Sequence, residues 1–154
     1  RNSVDAQELD ELIKQARTEQ LEAIEREIKA QCLIAMKTAD TFKRMHMRYR
    51  EIGEGAERGG KFMCRARMRG EFQLEINWNE MVFVGAKGAR RAVPRQIKKP
   101  AGQMRHRKSD FARCNQWESG AIEFAESKFE AVRKRLATLH KVRNELRNLL
   151  KKVR

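Results

Sequence analysis

The chain has 154 residues and carries 35 Lys and Arg against 21 Asp and Glu, a net charge of +14. That length supports one domain with a modest core, no apolar run reaches the roughly 18 residues of a bilayer span, and the polar start lacks the apolar core of a secretory signal. Cys32, Cys64 and Cys114 are far apart and form no C-x-x-C pair, which supports neither a disulfide framework nor a zinc knuckle and predicts reduced thiols in a cytoplasmic protein.

Residues 4–52 read as one long helix. Asp5 or Ser3 can cap its start, and acidic residues fill the first turns, where they suit the helix dipole. From Leu21 onward the apolar residues recur every three and four positions: Leu21, Ile24, Ile28, Ala35, Phe42, Met45, Tyr49 and Ile52. Gln31 and Thr38 are polar substitutions in this heptad frame. Leu9, Ile13 and Ala16 follow a shifted frame, which predicts a break or curve near Leu21. A start at Arg1 rather than Met implies a few residues upstream. The glycine-rich stretch 53–60 reads as a loop.

Over residues 61–98 the period falls to two, the signature of half-buried strands. Phe62, Cys64, Ala66 and Met68 face one way; Lys61, Met63, Arg65, Arg67 and Arg69 face the other. After a turn at Gly70, Phe72, Leu74, Ile76 and Trp78 alternate with Gln73, Glu75 and Asn77. Met81–Val84 reads as a third strand and Gly85–Ala89 as a cationic turn. Arg90–Lys98 reads as a fourth strand, placed at an edge by Pro94. A basic loop follows to Lys108.

Residues 109–154 read as a second long helix, jointed at Gly120 with Ser119 as a candidate cap. Its heptad runs Ile122, Ala125, Phe129, Val132, Leu136, Leu139, Arg143, Leu146, Leu150 and Val153, interrupted only by Arg143. The expected fold is therefore α+β over residues 1–154 as a single domain. Two long helices, an antiparallel coiled-coil-like hairpin, flank a small three- to four-stranded antiparallel β-meander. The same heptads would also suit a homodimer.

The charge is concentrated in the middle. Residues 1–60 have a net charge of −1, residues 61–108 of +10 and residues 109–154 of +5. Such focusing is the footprint of a polyanion partner. A membrane surface would call for a basic amphipathic helix, whereas the densest charge lies on strands and turns, so nucleic acid is favoured. The candidate contact residues are Arg65, Arg67, Arg69, Lys87, Arg90, Arg91, Arg95, Lys98, Lys99, Arg105, Arg107 and Lys108. Alternate strand positions space the first three about 6.6 Å apart on one face, and a β-ribbon is narrow enough for a major groove. His106 is expected to join the phosphate contacts. Phe62, Phe72 and Trp78 fall on apolar strand faces, so duplex DNA is preferred over stacked single strands. The acidic excess of residues 1–30 raises a further expectation, that this half folds back over the basic middle.

Catalytic chemistry is not indicated. His46, His106 and His140 have no partners at ligand spacing, so no metal or cofactor is expected. Tyr49 fits the helix seam, and Glu71, Glu75 and Glu80 lack a clustered partner. Glu75 reads as a bystander to binding.

Taken in order, the features resemble the MobI-like conjugative transfer proteins. The likeness rests on the long first helix, on Phe72-Gln-Leu-Glu-Ile-Asn-Trp78 followed by Met81-Val-Phe83, and on the Gly/Lys/Arg turn from Gly85 to Arg91. The basic segment Val93 to Lys99 and the final Arg-rich helix complete it, over residues 35–154. The resemblance implies an accessory factor that recognises an origin of transfer and helps a separate relaxase start DNA mobilisation. The expected function is sequence-specific duplex DNA binding without enzyme activity. The alternatives are a coiled-coil adaptor for an acidic protein and an RNA-binding factor.

Overall fold

The computed structural model describes residues 5–52 and 59–152. Their order is α1 (Ala6–Ile52), β1 (Phe62–Met68), β2 (Leu74–Val84), β3 (Arg91–Ile97), a 3-10 turn (Lys108–Phe111) and α2 (Gln116–Lys152). Ser3, most of the 53–60 loop and Val153 lie outside the described residues.

Asp5 caps α1, its carboxylate accepting the Glu8 N–H at 2.8 Å. The helix then runs for 47 residues without the break expected near Leu21. No Gly or Pro interrupts it, and Ala, Glu, Gln, Leu, Lys and Arg dominate its first turns. The shift of frame changes only which face is apolar. Arg17 of α1 is already level with the end of α2, where it donates to the Leu149 carbonyl, and Leu9, Leu12 and Ile13, which lie further along α1, stay exposed. The acidic start of α1 therefore lies at the far end of the hairpin and does not fold back over the sheet.

The helices are antiparallel. Ile28, Cys32, Ala35, Ala39 and Phe42 of α1 meet Ile122, Ala125, Phe129, Val132, Leu136 and Leu139 of α2 in one buried cluster. Arg143, the interruption of the second heptad, pairs with Glu25 at 2.8 Å and lies 4.1 Å over the Phe72 ring. A cation is tolerated there because an anion and an aromatic face both receive it. α2 starts at Gln116 rather than 109 and passes through Gly120 without a joint. A helical Gly costs roughly 1 kcal/mol against Ala, too little to break a helix anchored on both sides by buried Glu118, Ala121 and Ile122.

The sheet is an antiparallel meander in the order β1-β2-β3. The two middle strands expected from the sequence are one strand of 11 residues, so the sheet has three strands among the described residues. The second strand expected to Trp78 and the third expected from Met81 are joined through Asn79 and Glu80, which pair with both neighbours. Glu80 is 4% exposed, and Arg95 at 2.6 Å and Arg113 at 2.7 Å neutralise it. β3 forms an edge, with Pro94 opposite Met81.

Trp78 anchors the sheet to the helices. It is fully buried, edge-on to Phe42 and Phe111 at 5.0 Å each, and its indole N–H donates to Glu126 at 2.9 Å. Two buried carboxylates of α2 tie down neighbouring backbone. Glu118 accepts the N–H groups of Lys61, Phe62 and Asn115 at 2.8, 2.9 and 3.0 Å. Glu126 accepts the His106 N–H at 2.8 Å and pairs with Arg133 at 3.2 Å. Burial alone would raise the Glu126 pKa, but hydrogen bonds from His106 and Trp78 and the charge of Arg133 bring it down to about 2. All three cysteines are free thiols.

Candidate nucleic-acid interface

β1 pairs with β2 over Leu74–Glu80, while β3 pairs with it over Trp78–Val84. The two hairpins share only Trp78–Glu80 and point in opposite directions. Past Glu80, β2 and β3 continue as a two-stranded arm that runs about 13 Å beyond β1 before its turn. Gly85 and Gly88 sit in that turn at φ of 111° and 90°, where a side chain would be strained.

The register assigns each candidate to a face. Arg65 lies opposite Asn77, Arg67 opposite Glu75, Asn79 opposite Gln96, and Phe83 opposite Ala92. Directly opposed residues share a face, and the helices cover the other side, that of Trp78. The outward face thus carries Arg65, Arg67 and Arg69, then the amides Asn77, Asn79 and Gln96, then Met81 and Phe83 on the arm. Gln96 donates to the Asn77 side-chain carbonyl at 3.2 Å.

Glu75 belongs to this surface. It pairs with Arg67 at 3.0 Å, with Arg69 more closely still, and accepts from Asn77 at 2.9 Å. The Arg69 hydrogen bond, reinforced by Asn77 and Arg67, holds its pKa at about 2. Glu75, expected to be a bystander, is thus paired with two of the candidate arginines.

The remaining candidates do not join the outward face. Arg91 and Arg95 are opposite Val84 and Glu80, on the inward side of the sheet. Arg95, Lys98 and Arg107 instead line a hollow of about 420 Å³ with Arg113, Glu80 and Asp110. Lys99 bonds the carbonyls of Gln103 and Pro100. Arg105 pairs with Glu123 at 2.6 Å and Glu130 at 3.5 Å, and Arg107 with Asp110 at 3.2 Å. Lys87 and Arg90 sit on the arm's turn. Among the described residues, Arg65, Lys87, Arg90, Arg91, Lys98 and Lys108 form no ion pair.

His106 is not at the surface as expected. It is 5% exposed, with its backbone N–H on Glu126 and its ring Nε2 3.1 Å from the Ile97 carbonyl. Tyr49 lies at the open end of the helix seam, 37% exposed and stacked on Trp117 at 4.4 Å. Asn77, Asn79, Gln96 and Arg113 were not anticipated. Strand alternation placed Asn77 on the arginine face and could have flagged it. Arg113 had no local signal, because its partner Glu80 is 33 residues away.

Among the described residues no group of three His, Cys, Asp or Glu is placed to hold a metal ion, and no helix is long and apolar enough to cross a membrane. Fold and surface define a class: a basic α+β protein whose sheet buries one face under a helical hairpin and opens the other, cationic and amide-bearing, to solvent. Within that class, the profile of the MobI protein family matches residues 33–147, about three-quarters of the chain, and the chain belongs to that family. Membership implies a role in conjugative mobilisation. Comparison with the curated proteins and with the solved structures finds no match. The matched span runs from the middle of α1 through the whole sheet and arm into α2.

Proposed function

We propose that the protein is a sequence-specific duplex DNA-binding accessory factor, which recognises an origin of transfer and helps a separate relaxase initiate conjugative mobilisation. The observation that carries this reading is the arm: a two-stranded ribbon, free of β1, with Lys87, Arg90 and Arg91 at its end. Strands are about 4.8 Å apart, so a two-stranded ribbon fits a major groove of about 12 Å. Behind it, Arg65, Arg67 and Arg69 supply phosphate contacts, and Asn77, Asn79 and Gln96 supply both donors and acceptors for base edges. The reading assigns no catalytic step to this chain; the cutting of DNA falls to the relaxase.

Arg65→Ala, Arg67→Ala and Arg91→Ala should each weaken duplex binding, and phosphate contacts should lose affinity uniformly across sequences. Competition separates the rival partners. An unlabelled duplex should displace labelled duplex better than RNA of equal length or an acidic polypeptide does. Better displacement by RNA, or by the polypeptide, would replace the reading with an RNA-binding or adaptor role.

A further inference from the structure

Phe83 stands where no core requirement explains it. It is 70% exposed on the outward face of the arm, and the adjoining Val84 is 40% exposed. Its cross-strand partner is Ala92, and the next pair along the same face is Met81 with Pro94. The end of the arm is thus an apolar point on a ribbon whose β2 edge has no strand beside it beyond Met81, where the Met81 N–H still donates to the Lys61 carbonyl. Such a ribbon invites association unless something covers it.

The charge around Phe83 indicates what covers it. Residues 81–109 hold nine Lys and Arg and not one Asp or Glu. Lys87 and Arg90 lie in the turn beside the point, Arg91 stands at its base on the opposite face of the ribbon, and none of the three forms an ion pair among the described residues. A protein partner with an apolar pocket would not need uncompensated cations at the same end of the arm; a stack of bases between two phosphate chains would use both parts. Apolar side chains driven between base pairs partly unstack them and kink the duplex by about 20–90°.

We infer that Phe83 is a wedge that enters a base step of duplex DNA while Lys87, Arg90 and Arg91 hold the flanking phosphates, so that binding kinks the duplex. This rests on the duplex-binding reading above. It adds a mechanical consequence, since an unstacked step is locally distorted and presents its bases more openly to a relaxase. Three features suit the arm to the task. Its ladder is paired up to Val84 and Arg91, Pro94 restricts the edge strand, and the exposed ring can be changed without touching the core.

The test is tethered-particle motion on a kilobase linear duplex of mixed sequence, with the full chain added in low salt, beside anisotropy on a short duplex from the same DNA. Free duplex has a persistence length of about 50 nm. Wild-type protein at saturation should lower the apparent value by about two-fold or more, because each kink adds to thermal bending. Phe83→Ala should bind the short duplex with affinity within about five-fold of wild type, since the phosphate contacts dominate non-specific affinity, yet leave the tether unshortened. Phe83→Leu should restore most of the shortening. Equal shortening by wild type and Phe83→Ala would overturn the wedge, as would wild-type binding with no shortening; Phe83 would then be free for a protein partner. Absence of wild-type binding to either DNA would instead remove the duplex-binding reading itself.

Discussion

Glu75 reaches across the β1–β2 pair to Arg67 at 3.0 Å, and the same carboxylate also holds Arg69. Two of the three arginines on the outward face are therefore paired within the free protein. Glu75→Gln should release both, tightening non-specific duplex binding and steepening its salt dependence by up to about 1.8 in log–log slope if both reach phosphates. Anisotropy against salt measures this directly. An unchanged slope would mean that neither arginine meets a phosphate. With a folded pKa of about 2, Glu75 stays ionised at neutral pH, so pH near 7 cannot mimic the substitution.

Glu126 predicts an acid-side loss of stability. Its folded pKa of about 2 lies below its ordinary value of 4.5. Its contribution is thus full above pH 4.5 and is lost as the pH falls toward 2. Urea melts followed by tryptophan fluorescence should show the midpoint falling through that window. Glu126→Ala should cost about 3–5 kcal/mol at neutral pH, because the part-buried Arg133 and the buried Trp78 N–H lose their partner. A melt that is flat from pH 5 to pH 3 would contradict this account of the core.

Gly120 offers a stabilising change. It lies within α2 without a positive φ, and an added Cβ would meet nothing within 4 Å. Gly120→Ala should raise stability by roughly 0.5–1 kcal/mol, read from the urea midpoint at unchanged m-value. Destabilisation would mean that α2 bends there after all.

Gly60 should behave in the opposite way. A Cβ there would stand 2.3 Å from the His46 ring and 3.1 Å from Glu118. Gly60→Ala should destabilise the fold by about 1–3 kcal/mol, as overpacking does, and a neutral result would mean that the ring moves aside freely.

Much of the fold was legible because its signals are periodic. The heptads from Leu21 and from Ile122 gave the two helices and their seam, and the alternation from Phe62 to Met68 gave both faces of β1. What was misread involves side chains satisfied by tertiary partners. Glu80 read as a carboxylate without a clustered partner because its neutralising Arg95 and Arg113 come from other segments. Gly120 looked like a joint because local propensity is weak against the burial on either side of it. The candidate site was legible as charge but not as geometry. Counting cations located residues 61–108, yet β3 turns Arg91 and Arg95 to the inward side, and intramolecular carboxylates take up Arg105 and Arg107. His106 sat in a basic run and looked available, but the long-range bond to Glu126 buries it. The amides Asn77, Asn79 and Gln96 carry no charge, and a charge count passes over them.

Recognition of an origin of transfer is tested most directly by fluorescence anisotropy on two labelled duplexes over a range of salt. One duplex carries the origin of transfer of the host element and the other a scrambled sequence of equal composition. With about six phosphates contacted, log K should fall with log salt at a slope near −5 on both. At physiological salt the origin duplex should still bind about 100-fold tighter or more. Equal, salt-fragile binding to the two duplexes would contradict the account and leave a generic basic protein.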